Sequence, residues 1–551
     1  METPLWFNHK LPKFPRVSRT GKFDAVIVGG GMTGITAAYL LKKSGHTVAL
    51  IERDRFAEVD TGHTTAHLTH VMDTRLPELV KYFGEDHARA AWDAGHAAIL
   101  QIQDNIAAEG IDCDFRTVPG FLHAALKGKK DETKSLRDEA KLAQKLGFAA
   151  MFVEKVPYFN RPGVRYANQA KFHPRKYLSA LLAAIPGDGS AVYEQCEVTE
   201  FQDKPLCVRA NGFRLECGYV IIATHVPLTG NTNIANATLL QTKIAPYSSY
   251  VVGAKLPKDL LPEASFWDTA DPYYYLRVES GERDDYAIFG GEDHKTGQET
   301  DTEKRFASLE NTLLKFVPQA KVDRRWSGQV IETNDGLPYM GETAEKQFVA
   351  TGYSGNGMTF GTVAGMMARN AALGQKNPWQ DLFSVNRKKL RGGTWDYLKE
   401  NIDYPYYMVK DSLSSAEGSS VREVQPGEGK IIKLDGQKVA VHRDDEGKVS
   451  ACSAVCTHMG CLVHWNQAEA TWDCPCHGSR FHPGGEVLAG PAETPLEPVA
   501  LNKPKAIKPK TSKPKAPAMK PSASIKKAPA KKEVAKKPVV KKKSTTAAKR
   551  S

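Results

Sequence analysis

Apolar positions first gather into a short strand-like run, F-D-A-V-I-V from Phe23 to Val28. They then recur at helical spacing to Lys43 and return as a second strand, T-V-A-L-I, that delivers Glu52. Gly29, Gly31 and Gly34 stand between strand and helix, and Gly45 ends the helix. The pattern predicts a strand–turn–helix–strand unit. Further on, V-I-I-A-T-H from Val220 to His225 predicts a buried strand ending at a small residue, and Phe348 to Gly365 predicts a strand that passes into a helix. From about Glu423 the period shortens to alternation. Runs such as K-I-I-K and K-V-A-V-H, separated by D-G and E-G, predict the hairpins of a small β-domain that ends near Val499.

These changes of period divide the chain. An N-terminal extension (1–21) precedes an α/β domain (22–385) with insertions at roughly 76–154 and 230–325. A stretch of turn and coil formers (386–419) reads as a linker to the β-domain (420–500). The remainder, 501–551, repeats K-P-K and K-K-A-P-A-K-K and is too charged to collapse, which predicts a disordered Lys/Pro/Ala-rich tail.

Charge alters the picture only in that tail. The chain carries a formal +12, but 501–551 alone carries +17, so the preceding 500 residues are mildly acidic. A flexible polycation can contact nucleic acid non-specifically through phosphates, or simply keep the chain soluble. No apolar stretch approaches the ~18–20 residues of a membrane span, and the N-terminus lacks the apolar core of a secretory signal. Five of nine cysteines lie between Cys452 and Cys476, which is not a secreted disulfide framework, and the expected location is cytoplasmic.

The strand–glycine–helix–strand–acid unit has a physical task. Glycines let backbone approach a pyrophosphate at a helix N-terminus, and the acid accepts hydrogen bonds from a ribose. Together with Val220–His225, D-G-L-P-Y-M-G from Asp335 to Gly341, and F-V-A-T-G-Y-S-G-N-G-M-T-F-G-T-V-A-G from Phe348, it resembles the FAD-dependent D-amino-acid oxidase and glycine oxidase family over roughly Lys22 to Leu382. The resemblance implies an α/β FAD-binding domain, Rossmann-like and of glutathione-reductase type, with an inserted α+β substrate domain. It implies that Gly29, Gly31, Thr33, Gly34, Glu52 and Arg53 bind the ADP half of FAD. Thr61, Gly62, Thr64, Thr65 and Ala66 would lie beside flavin and pyrophosphate, Val198 beside adenine, and Ala223 with Thr224 under the cofactor. Gly352, Gly355, Gly357, Met358 and Thr359 would turn backbone amides toward the flavin pyrimidine edge.

A second dinucleotide unit is missing from the sequence: Gly290 and Gly291 sit in I-F-G-G-E-D-H with no following helix. Electrons are thus expected from an organic substrate and not from NAD(P)H. The run P-Y-Y-Y-L-R, Pro272 to Arg277, resembles the strand that faces the flavin in amino-acid oxidases, and makes Arg277 the candidate carboxylate binder, through two parallel hydrogen bonds. Those oxidases often carry Arg where this chain has Val330, which weakens the case for an amino acid. His63, His67 and His70 are outside candidates for proton transfer.

In the β-domain, C-T-H-M-G-C and C-P-C-H-G-S-R-F place Cys456 with His458 and Cys474 with His477. Two thiolates can hold one iron of a [2Fe–2S] cluster and two imidazoles the other, which raises its potential. Zinc sites are also built from Cys and His pairs. The six Cys and His positions with Gly460, Pro475, Gly478 and Ser479 resemble the Rieske iron–sulfur family. That resemblance implies ligands Cys456, His458, Cys474 and His477, a disulfide between Cys461 and Cys476, and a hydrogen bond from Ser479 to a cluster sulfur.

The combination predicts a dehydrogenase that oxidises a small amine or amino-acid-like substrate. Electrons would pass from flavin to cluster and on to an unidentified acceptor. Two alternatives stay open: an electron-transfer protein with the cluster as entry port, and a nucleic-acid-associated redox sensor anchored by the basic tail. A Rieske oxygenase is disfavoured because no 2-His-1-carboxylate iron domain is visible.

Overall fold

The computed structural model of the chain describes residues 3–128, 130–227, 240, 242–387, 416–434 and 436–501. The expected linker, for the most part, and the basic tail with its expected nucleic-acid contact lie outside the described residues.

The β-branched run at the start forms the strand Gly21–Val28, and it takes the centre of an eight-stranded sheet. Gln347–Thr351, Phe213–Ile222, Gly21–Val28, Val48–Ile51 and Ala191–Tyr193 lie parallel in that order, with Tyr339–Ala344 antiparallel at one edge. Such a sheet buries both faces, which is why its strands read as continuous apolar runs. Val28 pairs with both Ile222 and Ile51, so these three strands end level. The residues that follow them, Gly29, Ala223 and Glu52, therefore emerge along one sheet edge, where open parallel sheets bind ligands.

Helix Met32–Lys43 starts at that edge and packs on Gly357–Ala372, with Gly365 against Thr36. Two glycines are required here. Gly29 has φ +108° and a Cβ there would lie 2.3 Å from the Ala223 carbonyl oxygen; a Cβ on Gly34 would lie 1.9 Å from that of Gly29. Strand, turn and helix can close on one another only without those side chains.

The insertions, joined by His67–Leu68 and Gly163–Lys171 from outside their expected bounds, build a second sheet of nine strands. Its order is Lys321–Thr333, Ile244–Pro257, Asp284–Lys295, Tyr275–Glu279, Ser265–Asp268, Arg116–His123, Gly163–Lys171 and His67–Leu68, with Ala150–Val153 paired to Gly163–Lys171. Helices Leu76–Phe83, Glu85–Glu109 and Thr133–Lys145 belong to the same insertions, which gives the α+β composition. The strand expected across Pro272–Arg277 begins only at Tyr275, because the Tyr274 amide is taken by the Asp268 side chain at 3.0 Å, where the neighbouring strand Ser265–Asp268 ends.

The C-terminal domain is all-β. Gly429–Leu434, Gln437–Arg443 and Val449–Ser453 form one antiparallel sheet, and His464–Asn466, Thr471–Asp473, Arg480–Phe481 and Val487–Ala489 another. Val463, Trp472, Phe481 and Leu496 fill its core. Among the described residues no helix is long and apolar enough to cross a membrane.

Candidate active site

The sheet edge opens into a cavity of about 710 Å³. Gly29, Gly31, Thr33, Glu52, Arg53, Thr61, Thr64, Thr65, Val198, Ala223, Thr224, Gly352, Gly355, Gly357 and Met358 all line it. Glu52 accepts from the Gly30 amide at 2.7 Å through one oxygen and from the Asp54 amide at 2.8 Å through the other. Burial raises its pKa, against which the two amides act. Thr61 Oγ1 accepts from the Met32 amide at 3.3 Å, and Thr33 Oγ1 meets the Tyr353 hydroxyl at 2.9 Å, so two cavity threonines are held at the helix start. The glycine turn at a helix N-terminus, the acid beyond the second strand and the volume of the cavity fit a dinucleotide such as FAD.

Four residues expected in the cradle do not line the cavity. Gly34 serves the helix–strand approach, and Gly62 sits where a Cβ would lie 2.5 Å from the Ala57 carbonyl oxygen. Ala66 is fully buried, as is Thr359, whose Oγ1 accepts from the Thr69 amide at 3.3 Å. They shape the walls from behind.

Arg277 is a correction of a different kind. Its side chain is buried and does not reach the cavity. It donates to the carbonyls of Thr65 at 3.0 Å, Ala66, and Phe172 at 2.8 Å, and it pairs with Glu279. A guanidinium spent on backbone has no parallel pair of donors left for a substrate carboxylate.

Of the histidines, His63 and His67 line the cavity, whereas His70 is buried against Trp92 and Phe148. Burial, reinforced by the Arg277 charge, lowers the pKa of His67 to about 3, so it stays neutral. The wall contributed by the second sheet carries Ser249, Trp267, Tyr275 and Asp293, joined by Tyr273 and by Asp73 from the loop after His67–Leu68.

The cluster loops lie in the β-domain with Cys456 and Cys474 both buried. The Cys474 thiol beside Cys456 lowers the Cys456 pKa against the effect of burial, and Ser479 acts in the same direction. Ser479 Oγ also accepts from the Ala492 amide at 3.0 Å, which fixes the hydroxyl. The rings of His458 and His477 stand 4.9 Å apart edge to face, and burial lowers both pKa values, favouring the neutral imidazole that binds metal. Cys461 and Cys476 form a disulfide, with the Cys474 sulfur within 4.8 Å of both. Two adjacent thiols and two adjacent imidazoles fit a [2Fe–2S] cluster with mixed ligands.

The two sites meet. Leu488 to Pro495, the loop after the last strand, lines the same cavity as the glycine turn, and Arg53 Nη2 donates to the Leu488 carbonyl at 2.7 Å. Gln329 Nε2 donates to the Gly478 carbonyl at 3.0 Å and to Thr296 Oγ1 at 3.2 Å. Gln298 Nε2 donates to the Pro475 carbonyl at 3.2 Å, and a His464 ring nitrogen lies 3.1 Å from the Gly297 carbonyl oxygen. No motif or period in the sequence marks this interface. The G-P of Gly490–Pro491 marks a turn, but a turn signal says nothing about what the loop covers. Asp73, on a loop, and Asp293, within Asp284–Lys295, carry no sequence signal, because a lone Asp is ordinarily solvated.

Comparison with known proteins agrees with this geometry. The FAD dependent oxidoreductase (DAO) family profile matches residues 24–371 and the Rieske [2Fe-2S] domain profile residues 417–502. YhfW of Bacillus subtilis (strain 168), named as a Rieske 2Fe-2S iron-sulfur protein, is 32% identical over 89% of this chain and 96% of its own length. Gamma-glutamylputrescine oxidoreductase of Escherichia coli (strain K12) is 24% identical over 74% of this chain and 96% of its own. The crystal structure of glycine oxidase from Geobacillus kaustophilus superposes with a TM-score of 0.55 at 19% identity, over 67% of this chain and 99% of that one. With its flavin-type cradle and its cluster loops in one body, the chain belongs to the DAO family of FAD-dependent oxidoreductases, binds FAD, and carries a C-terminal Rieske domain for a [2Fe-2S] cluster.

Proposed function

We propose that the protein is a dehydrogenase that oxidises the C–N unit of a small amine or amino-acid-like substrate and passes the electrons to its own cluster site. Bound FAD would supply two-electron oxidation, and the cluster one-electron exit. Gly29, Gly31, Thr33, Glu52 and Arg53 would hold the ADP half. Cys456, Cys474, His458 and His477 would ligate the irons. The observation that carries the reading is the hydrogen bond from Gln329, a cavity residue, to Gly478, the residue after His477. It ties the wall of the oxidation site to the cluster loop inside one chain. The relationship to gamma-glutamylputrescine oxidoreductase supports an amine-type substrate, and the paired sites support a relay over direct release of electrons to oxygen.

Anaerobic mixing of the holoprotein with candidate substrates tests it. Flavin bleaching followed by the electron paramagnetic resonance signal of a reduced mixed-ligand cluster is expected. A bleached flavin beside a persistently oxidised cluster would remove the relay.

A further inference from the structure

This inference rests on the proposed oxidation of an amine and names a group by which the substrate is held. Among the described residues three arginines line the cavity, Arg53, Arg55 and Arg75. Arg53 and Arg55 follow Glu52 at the nucleotide end, and both are engaged, Arg53 with the Leu488 carbonyl and Asp54, Arg55 with Glu194 at 2.5 Å. Arg75 comes from the segment that leads into helix Leu76–Phe83. Its carbonyl accepts from the amides of Glu78 at 2.9 Å and Leu79 at 3.0 Å, and Leu76 and Leu79 are fully buried, so the backbone that carries the guanidinium is fixed.

The side chain is fixed as well. Arg75 Nε donates to Glu139 Oε2 at 2.9 Å, and Nη2 donates to the same oxygen. Glu139, on helix Thr133–Lys145, is 1% exposed, and its other oxygen accepts from the Tyr166 hydroxyl at 3.4 Å. A carboxylate buried that deeply is costly unless it is paired, and this pairing sets the plane of the guanidinium. One side of the fork, Nε with Nη2, is thereby filled. The end of the fork, Nη1 with the second hydrogen of Nη2, is not. Nη1 makes no hydrogen bond among the described residues and is not one of the polar atoms sealed from solvent, so it stands open on a residue that lines the cavity. Two parallel N–H groups at the end of a guanidinium match the two oxygens of a carboxylate. A guanidinium already held in place loses little further freedom on binding one.

The surroundings suit an organic anion. Tyr166 stacks on Trp267, with ring centroids 6.2 Å apart and planes 8° from parallel, and Trp267 lines the cavity together with Leu122. The chain of contacts from Arg75 through Glu139 and Tyr166 to Trp267 sets an apolar wall beside the open guanidinium. Two carboxylates of the same cavity are answered elsewhere. Asp268 accepts from the amides of Leu126, Ala270 and Tyr274, and Asp73 from the Tyr273 hydroxyl and the Gly355 amide. Arg277 offers no alternative, since its bonded nitrogens go to backbone carbonyls and Glu279.

We propose that Arg75, held by Glu139, receives a carboxylate of the substrate end-on, and that the substrate is an amine that bears a carboxylate and not a simple alkylamine or polyamine.

The test uses benzoate and benzamide, which share a shape and differ in charge, titrated into the FAD-loaded protein by calorimetry. Benzoate is expected to bind at least about ten-fold more tightly. Arg75→Met should weaken benzoate about ten-fold or more and leave benzamide within about two-fold, while Arg75→Lys, which keeps the charge and loses the fork, should retain part of the preference. Arg75→Met leaves the buried Glu139 without its partner, so the paired variant Arg75→Gln with Glu139→Gln is measured beside it. Absent benzoate binding, or benzamide binding as tight as benzoate, in the unsubstituted protein overturns the subsite whether or not the variants fold. An unchanged benzoate preference in a folded, FAD-loaded variant overturns it too, as does equal weakening of both ligands, which would make Arg75 a structural residue only.

Failure of the parent reading looks different. If no carboxylate-bearing amine reduces the flavin while benzoate binds with Arg75 dependence, the subsite stands and the dehydrogenase falls. If amines without a carboxylate reduce the flavin and benzoate binds no better than benzamide, the dehydrogenase stands and the subsite falls.

Discussion

Gln329 and Gly478 are 149 residues apart in sequence and joined by a 3.0 Å hydrogen bond in a buried setting. The donor belongs to the flavin-domain sheet and the acceptor follows a residue of the cluster loops. Removing the donor by Gln329→Leu leaves the Gly478 carbonyl without it, at about 1–3 kcal/mol for a buried group. The expected outcome is cluster reduction slowed several-fold after flavin reduction that keeps its rate, read by stopped-flow absorbance and rapid-freeze paramagnetic resonance. Equal slowing of both steps would mean that Gln329 shapes the oxidation site only.

The pH dependence follows from Asp293. Burial first, and then the charges of Asp73, Glu292 and Asp271, raise its pKa from 3.8 to about 7, against the Ser249 hydrogen bond. Its charge in turn helps raise the pKa values of Tyr273 and Tyr275. The folded protein holds this proton more tightly than the unfolded chain, so the stability it contributes is lost as pH rises toward about 7. Asp293→Asn should flatten that loss. Chemical unfolding measured between about pH 4 and about pH 8 reads it.

Arg277 should behave as a structural residue. Arg277→Lys cannot serve the carbonyls of Thr65, Ala66 and Phe172 together with Glu279, and breaking such a buried set costs about 3–5 kcal/mol. A lower melting temperature and weaker FAD retention are expected. A normal melting curve with a raised KM confined to carboxylate-bearing substrates would restore it as a substrate ligand.

The Cys461–Cys476 disulfide closes a loop of 15 residues between the two cluster motifs. In the chain-entropy account such a closure contributes about 3 kcal/mol. Replacing both cysteines by serine should lower the melting point of the cluster domain and the fraction of chains with a paramagnetic cluster. Full cluster occupancy in the double variant would assign the bond no part in holding the loops.

Local sequence carried the cradle and the cluster loops because each is read from residues close in the chain: Gly29 to Glu52 in one unit, Cys456 to His477 in the other. Arg277 went astray because the strand was legible and its neighbours were not. Whether that guanidinium turns to the cavity or to the carbonyls of Thr65 and Ala66 depends on a segment more than 200 positions away. Asp73 and Asp293 are separated in the same way, and only the pairing of strands brings them to one wall. The interface of Arg53 with Leu488 was illegible for the same reason, since no period or motif encodes contact between domains.

That contact makes the two prosthetic groups partners in maturation. Arg53 lines the nucleotide end of the cavity while its guanidinium holds the Leu488 carbonyl, and the loop it holds, up to Pro495, encloses the same space. Whatever free energy bound FAD adds to the seating of that loop must be returned, by thermodynamic reciprocity, as FAD affinity gained when the cluster domain is in place. Flavin loading and iron–sulfur insertion are then coupled stages of one assembly, and a chain short of iron would also be a chain that keeps its flavin less firmly.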